Sequence, residues 1–176
     1  MSYFADISDY KDVSDLLPLV TGVLTVEWTF IFFARWFLAE PNTNTWYTKF
    51  GMNAFFSDFT IILIGLLLAR YFYKTFFNQW NITSYTLLSV VIQVIHDVIY
   101  YIGFILPIPL GQNAIIDMMK SYAGDVGGMA ILGDTYMISA SALLASYLKT
   151  LPQHLIWFVL AVSAYMLPYA IYERPA

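Results

Sequence analysis

The sequence predicts an all-α fold: a polytopic transmembrane bundle of about five helices, with a short amphipathic interfacial helix between the third and fourth. Three observations predict it. Apolar residues make up 60% of the 176 residues and charged residues 11%, against roughly 45–50% and about 25% in soluble domains. Mean hydropathy is +0.66, more apolar surface than a soluble globule of this size can hide. The apolar residues also fall into runs of about 20, and at about 1.5 Å per residue such a run crosses a hydrocarbon core of about 30 Å.

The first run covers 16–38 and is followed by the polar turn Ala39-Glu40-Pro41-Asn42-Thr43-Asn44. The second, 54–72, is richest from Ile61 to Leu68. The third, 85–106, stops at Pro107-Ile108-Pro109-Leu110-Gly111, where two prolines remove backbone donors that a helix needs. The fourth, 127–148, is rich in Gly, Ala and Ser and is the least apolar; without it, four spans remain. The fifth, 152–172, opens on Pro152, a favoured first-turn residue. It contains Pro168, which predicts a kink. The whole chain, 1–176, reads as one transmembrane domain.

Two further segments lie outside the spans. Residues 1–15 hold Asp6, Asp9, Asp12 and Asp15, where a cleavable signal would need positive charge. Tyr3, Phe4, Ile7 and Tyr10 fall at helical spacing, so this stretch reads either as a short interfacial helix or as a frayed acidic tail. Within 113–123, Ile115, Ile116, Met119 and Tyr122 form a helical stripe, with Asp117 and Lys120 on the other face. Gly124 and the pair Gly127-Gly128 are expected to end that helix. Trp36, Trp46, Tyr71, Tyr73, Trp80, Tyr169 and Tyr172 lie near span ends, as interfacial anchors do.

Composition excludes several classes of function. The net charge of -4 and singly scattered basic residues leave no nucleic-acid surface. With no cysteine there is no disulfide, thiolate metal site or thiol nucleophile. Gly-x-Ser-x-Gly is absent, and His154 sits at a membrane boundary away from any nucleophile motif. No cofactor is expected. Lys11, Arg70, Lys74 and Lys149 fall on the amino-terminal face, and Arg35, Lys49, Lys120 and Arg174 on the opposite face. The tie leaves the positive-inside rule without a vote on orientation.

Each of the first four spans carries an acid: Glu27, Asp58, Asp97 and Asp134. A lone charge at the bilayer centre costs roughly 2.5–3.5 kcal/mol, so four facing lipid would cost on the order of 10 kcal/mol. They are therefore partnered, neutralised or in contact with water. Alternate helices run in opposite directions, which allows their depths to be compared. Glu27 is near the middle of its span, Asp97 just past the middle of the third, and Asp134 early in the fourth. Asp58 lies in the first turns of the second, and Arg35 two turns beyond Glu27. All gather in the half of the membrane opposite the amino terminus, under the 113–123 helix.

His96 beside Asp97 is the sharpest feature of this set. Neighbouring residues point about 100° apart on a helix, so the two need not touch. His96 is placed to reach Glu27 or Asp134 across the bundle. Such a group serves as a proton relay or cation site, or else as an interhelical hydrogen-bond network that fixes packing. Arg35 with Asp58 suggests an interfacial ion pair or simple snorkelling. His96, Asp97 and Asp134 are also the candidates for a metal, without the repeated Glu-x-x-His or His-x-x-x-His spacing that would strengthen it. In the fourth span, Ser141 with Ala145 and Ala142 with Ser146 are small-xxx-small pairs that let helices approach closely. Gly133 thins the helix beside Asp134.

The stretch His96-Asp97, Tyr100-Tyr101, Pro107 to Asn113, Ile116-Asp117, Lys120 to Ala123 and Ala130 to Asp134 resembles a family of small multi-pass membrane proteins of nucleocytoplasmic large DNA viruses, those of algae and protists. The match runs from the third span into the start of the fourth. The resemblance implies a protein of the internal membrane beneath an icosahedral capsid, or of infected-cell membranes. It implies no enzymatic activity and supplies no catalytic residues. The leading expectation is thus a structural membrane protein, partnered by the lipid bilayer, by itself or by other membrane or capsid proteins. The alternatives are a proton or cation pathway through Glu27, Asp97, Asp134 and His96, and a membrane-embedded metal-dependent enzyme.

Overall fold

A computed structural model of the chain describes residues 3–38 and 41–173. Ala39 and Glu40 of the first polar turn, and Arg174, lie outside the described residues. Helices account for most of the chain: α1 (Leu16–Trp36), α2 (Pro41–Phe50), α3 (Met52–Phe76), α4 (Ile82–Tyr100), α5 (Ala114–Val126), α6 (Met129–Leu148) and α7 (Gln153–Tyr172). Among the described residues there is no strand. Five helical stretches, carrying α1, α3, α4, α6 and α7, are long and apolar enough to cross a membrane. The protein is a multi-pass helical membrane protein, and α6, the least apolar of the five, counts among them.

The boundaries differ from the sequence reading in instructive ways. The turn placed after the first span continues into a helix, α2, which Pro41 opens from the first helical position. Its composition is too polar for a membrane span, so hydropathy passes over it. Gly51 ends it with φ +53°, a left-handed conformation that glycine adopts without a Cβ clash. α3 runs on to Phe76, past its apolar stretch, because Tyr73 is buried beneath the connection that follows. The Tyr73 hydroxyl donates to Gln79 O at 3.0 Å and accepts from Asn81 N at 2.8 Å. Tyr73 is thus a core residue and not an interfacial anchor. At its far end α4 passes into one wider turn, Tyr101–Ile105, closed by Leu106 N donating to Tyr101 O at 2.9 Å. Helix α7 runs unbroken through Pro168.

Helix α1 is central, packed against α3, α6 and α7, while α4 closes against α3 and α6. The small residues predicted to permit close approach do so in part. Ser141, Ala142, Ala145 and Ser146 are all fully buried. A Cβ added to Gly22 of α1 would stand 3.0 Å from Ala145 N and 3.2 Å from its Cα, so these two backbones are nearly in contact. Gly133 takes no part in this seam, since nothing lies within 4 Å of a Cβ built there.

Residues 3–12 of the amino-terminal segment form neither a helix nor a frayed tail, and a short 3-10 turn, Val13–Asp15, leads from them into α1. The segment is a strap across the bundle end. Ala5 N donates to Ser146 O at 3.1 Å, and Ser146 Oγ donates to Ala5 O at 2.6 Å. Ile7 is fully buried. Beneath it, Asp15 is buried between Arg70, at 3.1 Å, and Lys149. Arg70 also donates to the carbonyls of Asp9 and Asp12. With the apolar cluster of Leu19, Val23, Leu66, Tyr73 and Tyr85, this closes the amino-terminal face.

Candidate functional site

The opposite half of the bundle is hollow. A cavity of about 1030 Å³ lies among α1, α3, α4 and α6, with α2 and α5 at its mouth. Helix α5 sits where its apolar stripe predicts. Ile115, Ile116, Met119 and Tyr122 turn to the cavity, and Ile116 is almost fully buried. Asn113 caps the helix by accepting from Ile115 N at 2.9 Å and Ile116 N at 3.2 Å. The polar face is tied to the preceding loop: Asp117 accepts from Gly111 N at 3.1 Å, and Lys120 donates to the carbonyls of Leu106 and Ile108. The helix continues through Gly124 to Val126 and stops at Gly127, where φ is +53°.

Glu27, Asp58, Asp97 and Asp134 all line this one cavity, as does His96. Among the described residues the lining holds four carboxylates, one histidine and no lysine or arginine. Walls of low dielectric around charge of one sign focus the field and concentrate counter-ions. Among the described residues none of the four acids forms an ion pair with a lysine or arginine.

Two polar clusters make up the site. In the first, Tyr47 of α2 bridges α1 and α3: its hydroxyl is 3.0 Å from Glu27 Oε1 and 2.8 Å from Asp58 Oδ2. Trp46 Nε1 donates to the same Asp58 oxygen at 3.0 Å, so Trp46 serves the site instead of anchoring at the interface. Burial above all, then the charges of Asp58 and Glu27, push the Tyr47 phenol well above its ordinary range, keeping it an O–H donor. A phenol carries one proton, and one proton cannot fill both contacts at once. Glu27 Oε2 has no hydrogen-bond partner, although Glu27 is only 1% exposed.

The second cluster lies on α4. Gln93 Nε2 donates to Asp97 Oδ1 at 2.8 Å, and His96 Nδ1 lies 3.2 Å from the same atom. His96 therefore meets its own neighbour and not Glu27 or Asp134. Its ring stacks on Tyr100, with centroids 5.4 Å apart, and Tyr100 stacks on Phe104 at 5.1 Å. Asp97 Oδ2 and Gln93 Oε1 are buried without partners. Asp134 lines the cavity from α6, beside the open space at Gly133. The wider turn at Tyr101–Ile105 borders this cluster, and such turns recur at functional sites.

Arg35 stands apart from these acids. Its guanidinium donates to Ala170 O at 2.9 Å, to Ile171 O, and to Asn44 Oδ1 at 3.1 Å. It satisfies the last carbonyls of α7, so the expected pairing with Asp58 is replaced by a helix cap. For the metal reading, no group of three or more His, Asp or Glu side chains among the described residues is arranged to hold an ion.

Sequence reasoning passed over Tyr47, Gln93 and the Asp15–Arg70–Lys149 group. Gln93 carried a signal, because it lies four residues before Asp97, where Gln and Asp side chains meet on a helix. Tyr47 carried none, since its helix had been read as a turn. Asp15 and Arg70 come together only through tertiary packing. No family model, no curated protein and no solved structure matches the chain.

Proposed function

We propose that this multi-pass membrane protein is a non-enzymatic cation-binding protein, loaded through its acid-lined chamber from the face opposite its amino terminus. The observation that carries this reading is the lining itself: four carboxylates and a histidine around about 1030 Å³, with no lysine or arginine among them. A network serving only to hold helices together would complete its own hydrogen bonds, as buried polar groups generally do. Here Glu27 Oε2, Asp97 Oδ2 and Gln93 Oε1 lack partners. The close helix packing lies elsewhere, along Gly22 and Ala145.

The strap and the buried Arg70 make the chamber one-ended, which argues against a standing open channel. Movement across the membrane would need that end to open, so transport would take the form of alternating access. The resemblance carried between His96 and Asp134 is what supports placing the protein in a viral or infected-cell membrane.

The test exploits the absence of cysteine. Gly133→Cys places a single thiol in open space beside Asp134. In proteoliposomes, a cationic methanethiosulfonate reagent is expected to label it at least about tenfold faster than an anionic one of similar size. Asp134→Asn and Asp58→Asn should each shrink that ratio. Equal rates for the two reagents would overturn the reading.

A further inference from the structure

The chamber is also open sideways. Helices α3 and α4 meet in the amino-terminal half: Tyr85 Oη donates to Leu66 O at 3.0 Å, and the Gly65 backbone lies against Gln93. Beyond Gln93 the two helices form facing walls of the cavity. Those walls include side chains on the outer surface of membrane-spanning stretches, Phe56 (56% exposed) and Ile64 (44%) on α3 and Phe104 (49%) in the wider turn that continues α4. Acidic groups inside thus connect without a break to an apolar slot facing hydrocarbon.

We infer that the chamber takes an amphiphile dissolved in the membrane, with a primary ammonium head and a single aliphatic chain. The head sits in the acid-lined chamber, whose walls include Glu27, Gln93 and Asp97, and the chain leaves between α3 and α4. This deepens the cation-binding reading and rests on it. Two independent features select the head. Glu27 and Gln93, 1% and 2% exposed, and Asp97 each present a buried acceptor oxygen without a donor, and a primary ammonium brings three N–H donors. Trp46 and Phe104 line the same space, offering ring faces to a cation. The slot selects the chain. A hydrated metal ion has no use for apolar walls, and a neutral lipid alcohol would leave the carboxylates unanswered.

Binding is measured by titrating the purified full chain, in phosphatidylcholine nanodiscs at neutral pH, with dodecylamine, dodecanol and ethylamine. Dodecylamine, charged at that pH, should bind saturably and at least roughly tenfold more tightly than either control. Glu27→Gln and Asp97→Asn should each weaken it roughly 10- to 100-fold, the loss of one charge-assisted hydrogen bond. Ile64→Trp, on the lipid-facing surface and at the slot, should weaken dodecylamine while leaving ethylamine unchanged. If ethylamine binds as well as dodecylamine, the amphiphile inference falls and the cation-binding reading stands. If no amine binds while Gly133→Cys keeps its preference for the cationic reagent, the amphiphile inference again falls alone. If dodecanol matches dodecylamine and the reagent preference is absent, both fall.

Discussion

Glycine-to-alanine replacement at two positions should move stability in opposite directions. In a helix interior, alanine is favoured over glycine by about 0.8–1.0 kcal/mol. At Gly133 nothing lies within 4 Å of the new Cβ, so the full propensity gain is available and Gly133→Ala should stabilise by about 0.5–1 kcal/mol. At Gly22 the new Cβ would stand 3.0 Å from Ala145 N and 3.2 Å from its Cα. Both are backbone atoms of a neighbouring helix, which cannot rotate away as a side chain would. Overpacking of this kind typically costs about 1–3 kcal/mol. Set against the propensity gain, Gly22→Ala should be destabilising by roughly 0–2 kcal/mol, and the two variants should differ by about 1–3 kcal/mol. Equilibrium unfolding in mixed micelles, titrated with a denaturing detergent, measures both against the unmodified chain. Equal shifts of the same sign would refute the claim that α1 and α6 are in backbone contact at this level.

Two further expectations follow from named contacts. Tyr47→Phe removes the hydroxyl between Glu27 and Asp58 and should cost about 1–3 kcal/mol, the penalty for buried carboxylate oxygens losing a donor; an unchanged unfolding midpoint in the same titration would contradict the bridge. The strap should loosen in acid: the Lys11 backbone N–H holds Asp9 below the usual carboxylate range of 3.8, and the Ser14 hydroxyl and N–H do the same for Asp12. A depressed folded-state value means their contribution is complete above 3.8 and fades as pH drops through the lower native value. A spin label at Lys11→Cys, whose backbone N–H is held by Asp9 at 3.1 Å, should therefore stay constrained down to that range and become mobile only below it; mobility that increases nearer neutrality would contradict this.

Much of the candidate site was legible because helical periodicity and alternating direction suffice to compare depths. Counting residues along each span places Glu27, Asp58, Asp97 and Asp134 in one half of the membrane, and they line one cavity. The stripe of Ile115, Ile116, Met119 and Tyr122 likewise identified the face that α5 turns inward. What escaped were interactions decided by side-chain reach between elements whose relative rotation a sequence does not record. Arg35 and Asp58 lie near the same membrane face on adjacent spans, which suggests a pair, whereas the long Arg35 side chain finds the end of α7, the last helix. His96 was aimed across the bundle, yet its ring turns along its own helix to Asp97 and Tyr100. Gly133 looked like a packing notch because small residues next to a polar one usually are. The contact fell instead at Gly22, which no pattern in its own helix distinguishes.

Composition and the length of the apolar runs by themselves determined that the chain is a helical membrane protein of four or five spans. Transfer of apolar residues from water is additive along the sequence and needs no neighbours. Polar groups obey a different rule: a buried carboxylate is stabilised or left wanting by whichever atom stands about 3 Å away. Only the tertiary structure decided that Asp15 is closed off by Arg70 and Lys149, while Glu27 and Asp97 line a chamber without a lysine or arginine partner among the described residues. That difference separates the sealed end of the bundle from its hollow end.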